Sequence, residues 1–255
     1  MKRPKIALQL YSVREDCKKD FKGTLEKVAD MGYEGVEFAG FYDWSADKLH
    51  DLLENLGLEV AGAHIGVDSL LGDKLYETVE FHKTLGNRYL IVPGIPEEWR
   101  NSKEAWLKTA KTFNTIAERL KPYGMRTGYH NHTVEFRKFN GDTGWDIFFK
   151  NTISDVIMQL DTGNAMHGGV TADELLEILK RYPGRAVTIH LKEYSSTDKN
   201  ALIGEGEVKW IELFKLTQSI GGTEWYIIEQ ETYKYPPLEC VKKSLDNLLK
   251  LLENI

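Results

Sequence analysis

A chain of 255 residues with 42% hydrophobic and 28% charged residues is long enough to bury a large core. Its formal net charge of −6 disfavours a nucleic-acid partner, because phosphate binding draws on a surface rich in Lys and Arg. No apolar run approaches the ~20 residues of a membrane span, and Cys17 and Cys240, with no CxxC spacing, read as free thiols in a reducing compartment. A cytoplasmic protein without a membrane partner is therefore expected.

The chain opens MKRPKIALQLYSV, basic and then apolar. Gln9 interrupts the run, and Arg14-Glu15-Asp16 follow without a small-residue cleavage site, so this is a first strand (5–11) rather than a signal peptide. Residues 21–31 then place Phe21, Leu25, Val28 and Ala29 on one helical face. A strand follows at 35–38, a helix at Ala46–Leu56 and a strand at Glu59–His64. Another strand is expected at Tyr89–Val92 and a helix at 106–120 with Phe113, Ile116, Ala117 and Leu120 in its stripe. Strands at 126–132, 156–161, 186–191 and 225–230 complete a set of eight. Helical stripes through Leu175, Leu176 and Leu179, through Trp210, Leu213, Phe214 and Ile220, and through Val241, Leu245, Leu248 and Leu252 accompany the later ones. Glycines stand where helices should stop, at Gly32, Gly57, Gly86, Gly124, Gly184 and Gly222.

The phrases MGYEGVEF, LGLEVAGAH, LGNRYLIV and YGMRTGYH repeat one junction, a glycine cap followed by a strand, every ~25–35 residues, as an α/β chain of the (β/α)8 barrel type requires. With no linker or composition shift, residues 1–255 are expected to form one domain. A doubly wound sheet is disfavoured, since there is no G-x-G-x-x-G and no P-loop lysine motif.

In such a barrel, function lies at the C-terminal strand ends. These carry Gln9 and Tyr11, Glu37, His64, His130, His132 and Glu135, Asp161 and Asn164, His190 and Glu193, and Glu229 and Glu231. Glu135, Asp161, His190 and Glu229 together suit one divalent ion, Mn2+, Zn2+, Co2+ or Mg2+. A carboxylate closing a buried apolar strand is costly alone, and a shared cation stabilises several at once. The plainer readings are a turn-capping Asp161 in Asp-Thr-Gly-Asn, a satisfied core His64, and solvated Glu193 and Glu231. His50, His82 and His167 fall on helices or loops and are set aside.

Taken together, IALQLYSVR, MGYEGVEF, LGLEVAGAHIG, YHNHTVEF, LDTGN, HLKE, GEGEVKWIELF and IIEQE make the chain resemble the xylose isomerase-like TIM-barrel superfamily, in its sugar phosphate isomerase/epimerase branch. The resemblance covers nearly the whole chain. It implies that Asp161, His190 and Glu229 ligate a metal and that Glu193 contacts substrate. The fifth strand departs from the epimerases, with His130 where they carry a metal-binding Glu, and Asn164 stands where they have a His. The fourth ligand is expected to be Glu135, with His132 or His130 as alternatives, and the two-glutamate proton shuttle of the 3-epimerases does not carry over.

The expected activity is metal-dependent isomerisation or epimerisation of a ketose, keto-sugar or cyclitol through a metal-stabilised enediolate. Glu229, His132 or Glu135 would move the proton. Gln9, Tyr11, Glu37, His64, His130, Asn164, Glu193 and Glu231 would bind the sugar, with Phe41, Trp44 and Trp99 further stacking candidates. A dehydratase or lyase on a keto-sugar or inosose is the alternative, and a sugar-binding protein with a vestigial site a further one. A repair endonuclease of the endonuclease IV type is disfavoured by charge and by the few spare histidines. Homo-oligomerisation is left open.

Overall fold

Eight parallel strands line a barrel in the computed structural model, which describes residues 3–255. They are β1 (Lys5–Gln9), β2 (Gly35–Ala39), β3 (Glu59–His64), β4 (Tyr89–Val92), β5 (Arg126–His130), β6 (Ile157–Gln159), β7 (Thr188–Leu191) and β8 (Trp225–Ile228). Each pairs in parallel with its neighbour from β1 through β6, and β8 pairs with both β1 and β7. The β6–β7 seam is closed by an isolated bridge, Asp161 to His190, with His190 N–H donating to Leu160 O at 3.0 Å, and lower down by Met158 N–H donating to Arg185 O at 2.8 Å. This is the expected (β/α)8 barrel.

Helices Phe21–Asp30, Ala46–Leu56, Lys74–Leu85, Lys103–Leu120, Gly144–Lys150, Ala172–Arg181, Trp210–Leu216 and Pro237–Leu252 surround it. Their apolar stripes bury against the outward strand residues; Leu25, Leu49, Phe113, Leu179 and Leu245 are among those essentially fully buried. Gly57 and Gly86 end their helices with φ of 67° and 80°, a left-handed conformation that costs glycine little.

Several strands stop earlier than their apolar runs suggest. The first ends at Gln9 because the Gln9 side chain accepts from Tyr11 N–H and folds the next residues into a 3-10 turn, Leu10–Val13. After β5, a small hairpin pairs Lys138–Phe139 with Asp142–Thr143 around Asn140-Gly141, both at positive φ, the turn chemistry favoured by tight hairpins.

Inward strand residues form two layers. The lower is aliphatic and aromatic, with Ala7, Ala61, Tyr89, Ile91, Ile157, Val187, Trp225 and Ile227 in one cluster. One strand step further on, Gln9, Glu37, His130, Gln159, His190 and Glu229 are also buried. The polarity of the barrel interior thus switches along the strands. On β3 a register shift moves the pairing from Val36–Val60 to Glu37–Gly62, a bulge that re-aims His64 toward this polar layer. Gly62 is needed there, since an added Cβ would lie 2.8 Å from Glu37 Oε1.

Away from the mouth, His82 is buried between helix and strand, and Asn87 Nδ2 donates to its Nδ1 at 2.9 Å. Burial presses its pKa from 6.5 down to about 4. The folded chain therefore keeps the ring neutral while the unfolded chain takes up a proton near pH 6.5. This stability is fully present above that pH and drains as the pH falls toward 4, by on the order of 2–3 kcal/mol. Urea unfolding of His82→Gln at pH 7 and 4.5 should show a smaller acid loss than wild type; equal losses would mean the ring is not the source.

Candidate active site

The C-terminal ends of β5, β6, β7 and β8 bring His130, Asp161, His190 and Glu229 together, each offering a ligand atom within 4.8 Å of the others. Strand parity does this. His130 follows inward Gly128, Asp161 follows inward Gln159, and Glu229 follows inward Ile227. The single β6–β7 bridge sets Asp161 beside His190.

His190 is held at both nitrogens, with Nε2 2.5 Å from Glu37 Oε2 and Nδ1 2.9 Å from Glu229 Oε2. Glu37 also accepts from Gln9 Nε2 at 2.8 Å and from Gln159 Nε2 at 2.7 Å, and it lies 3.2 Å from His64 Nε2. A carboxylate behind an imidazole fixes the ring's orientation and tautomer. With an acceptor carboxylate at each nitrogen the ring is held as an imidazolium, and Nδ1, facing Glu229 and Asp161, is the nitrogen that would exchange its proton for an ion. Gln159 Oε1 orients His130, accepting from Nδ1 at 3.1 Å and leaving the Nε2 lone pair free.

Electrostatics sharpen the picture. Burial opposes charge on His190, but Glu37 and Glu229 outweigh it and raise the ring to about 10. Burial alone would raise Glu229; the Lys192 ammonium and His190 overcome that and hold its carboxyl well below the usual range. Asp161 goes the other way, pushed up to about 7 by burial despite Lys192. His130 is kept neutral by burial and by the neighbouring His190 and His64, which suits a ligand. Asp161 Oδ2 is buried, and its nearest cationic neighbour is Lys192 Nζ, 3.1 Å away in an ion pair. A buried donor set of two imidazoles and two carboxylates, all within 4.8 Å of one another, fits a divalent ion with N and O ligands.

The structure does not bring Glu135 to this group. It lies in a 3-10 turn, Val134–Phe136, where its carboxylate accepts from Tyr129 Oη at 2.8 Å and from His132 N–H at 2.8 Å. Tyr129 points outward among Trp106, Phe113 and Phe148, so Glu135 is drawn to the helix layer. His130 occupies the fourth place instead.

Three expected sugar contacts are also turned inward. Gln9 and Glu37 are fully buried and bond each other. Glu193 accepts from Tyr194 N, Gly204 N, Val208 N and Trp210 Nε1, which ties down the loop before helix Trp210–Leu216. The glycines of Gly-Glu-Gly 204–206 serve that packing, since a Cβ at Gly206 would lie 2.6 Å from Glu193 Oε1. His64 is held by Gln159 Oε1 at 2.7 Å. Asn164 is nearly buried, accepting from Lys192 Nζ and donating to Asn131 O. His132, Tyr11 and Glu231 remain at the mouth, and the rings of His132 and His130 are 5.3 Å apart. Phe41, Trp44 and Trp99 pack on the core.

Sequence reasoning passed over three residues. Gln159 and Lys192 share the inward parity of Asp161 and His190, a signal already in MQLD and HLK. Asn131 links β5 to β6 by accepting from Asp161 N–H at 2.8 Å and donating to Asp161 O at 3.1 Å.

The family profile described as "Xylose isomerase-like TIM barrel" matches residues 25–251. An inosose dehydratase of Clostridium botulinum (strain Alaska E43 / Type E3) is 24% identical over 257 residues, covering 83% of this chain and 82% of that protein. One of Erwinia tasmaniensis is 22% identical over 247 residues, with the same two coverages. A solved sugar phosphate isomerase/epimerase of Parabacteroides distasonis ATCC 8503 superposes with a TM-score of 0.83 at 25% identity, covering 96% of this chain and 98% of that one. A D-allulose 3-epimerase of Methylomonas sp. superposes with a TM-score of 0.70 at 14% identity, covering 98% of this chain and 99% of that one, a likeness of fold.

Proposed function

The chain belongs to the xylose isomerase-like TIM-barrel family, and from that premise we propose that it is a metal-dependent enzyme removing a proton next to the carbonyl of a keto-sugar or inosose. The observation that carries this is the buried set His130, Asp161, His190 and Glu229, each with a ligand atom within 4.8 Å of the others. Two imidazoles among four ligands favour Mn2+, Zn2+ or Co2+ over Mg2+. A divalent ion held there supplies Lewis acidity to a substrate carbonyl and to the charge left on its oxygen.

The protein's own groups supply the rest. Glu37 and Gln159 hold the two ligand imidazoles in register. His132, exposed at the mouth, is the group placed to take the proton, since Glu229 is engaged by His190 and Lys192 and Glu135 by Tyr129. Tyr11, 43% exposed, offers a ring face to a sugar, with the Arg14 guanidinium 4.3 Å from its centroid.

Of the two outcomes of proton removal, loss of a β-hydroxyl as water is favoured over epimerisation. Epimerisation needs a proton donor and acceptor on opposite faces of one carbon. On β5, a neutral imidazole stands in place of the second carboxylate that the resemblance to 3-epimerases calls for. The curated relatives named inosose dehydratase agree with that reading.

The test is Mn2+-loaded protein with an inosose in D2O, followed by NMR and ultraviolet absorbance. Elimination gives an unsaturated or enolised product. Deuterium uptake without loss of water indicates epimerisation or isomerisation, and no change in either signal removes the catalytic reading.

A further inference from the structure

Among the described residues, Lys192 is the one buried lysine. Its Nζ lies 3.1 Å from Asp161 Oδ2 and 3.1 Å from Glu229 Oε2. It also lies 3.5 Å from Glu231 Oε2 and donates to Asn164 Oδ1 at 3.1 Å. The backbone of Lys192 is pinned, its N–H donating to Thr162 Oγ1 at 3.1 Å and its carbonyl accepting from that hydroxyl at 2.6 Å. Any movement therefore belongs to the side chain.

Asp161 and Glu229 are also the two carboxylates of the ion-binding set. An ammonium and a divalent cation held by the same two carboxylates repel each other strongly in a buried site. They are alternatives there. Glu231 offers the ammonium a place to go, because its side chain is 38% exposed and so lies on the solvent side of the buried pair.

We propose that Lys192 is a tethered cation that holds Asp161 and Glu229 together while no ion is bound, yields them to an entering divalent ion, and retreats onto Glu231 and Asn164. The proposal rests on the reading of Asp161 and Glu229 as ion ligands. It makes Lys192 a positioning residue that sets how tightly the site holds its ion and keeps two buried carboxylates compatible with a folded ion-free barrel.

The experiment measures Mn2+ affinity by calorimetric titration and ion-free Tm for wild type, Lys192→Met and Glu231→Gln. Lys192→Met is expected to bind Mn2+ about tenfold or more tightly and to melt about 5 °C or more below wild type when ion-free. Glu231→Gln should weaken Mn2+ binding by about threefold or more, leaving the ion-free Tm unchanged. If wild type binds Mn2+ and Lys192→Met binds it equally or less well, the proposal is overturned while the metal site stands. Should Lys192→Met be too unstable to prepare ion-free, unchanged affinity in Glu231→Gln overturns it alone, and the expected weakening supports it. Uptake by Lys192→Met where wild type takes none supports the tethered cation and removes the metal-enzyme reading. No uptake by either protein removes both.

Discussion

Asp161→Asn is expected to leave the barrel standing and, on the metal-dependent reading proposed above, to abolish divalent-ion binding. The asparagine keeps an oxygen to accept from Asn164 N–H, the 2.6 Å contact that caps the short helix Thr162–His167, so the cap survives. It removes a charge whose burial is costly enough to push the carboxyl up to about 7. The ion-free Tm is therefore expected to stay within about 3 °C of wild type or to rise. Divalent-ion affinity should fall by about two orders of magnitude, and turnover by about a thousandfold, the scale of a lost Lewis acid. Elemental analysis after dialysis and a thermal melt decide it. A stoichiometric ion in Asp161→Asn would show that Asp161 is only the cap it resembles in Asp-Thr-Gly-Asn.

Glu193→Ala should do the reverse, harming the fold more than the chemistry. Four donors converge on this carboxylate, at 2.7 Å from Gly204 N and from Trp210 Nε1, 2.9 Å from Tyr194 N and 3.3 Å from Val208 N. Truncation strands the buried donors Val208 N and Trp210 Nε1, each costing about 1–3 kcal/mol, and frees the part-buried Tyr194 and Gly204 N–H groups. A net loss of about 3–4 kcal/mol, or a Tm drop of about 10 °C, is expected. KM for folded protein at low temperature should change less than about threefold. A large KM increase at unchanged Tm would restore Glu193 to the substrate.

Glu193 also shows where sequence reading reached its limit. HLKE and GEG stood out as motifs, but a motif does not say which way a carboxylate points. Here both served one another, the glycines making room for the acid's backbone contacts. The eight strands were legible because apolar runs and glycine caps recur at a regular interval. Their ends were less so, as at Gln9, where a side chain capping its own backbone cut the strand short. Asp161, His190 and Glu229 were legible as chemistry closing buried strands. Glu135 misled because it is only five residues beyond His130, and nothing local announces that Tyr129, facing the helices, captures it. Lys192 was readable by counting two from His190; a lysine in a strand end reads as solvated until its partners, distant in sequence, are known.

The lone bridge between Asp161 and His190 has a further bearing on how the pocket works. Those two positions shut the cylinder at its mouth, above the Met158–Arg185 bond, and the latch is made of main chain, so their side chains leave from anchors that no ligand has to bring together. On the proposed metal-dependent reading, an ion could then be taken up without a loop closing or a segment folding first. The spacing of the jaws is inherited from the topology itself, and evolution can retune what they grip by changing side chains while the hinge pin stays in place.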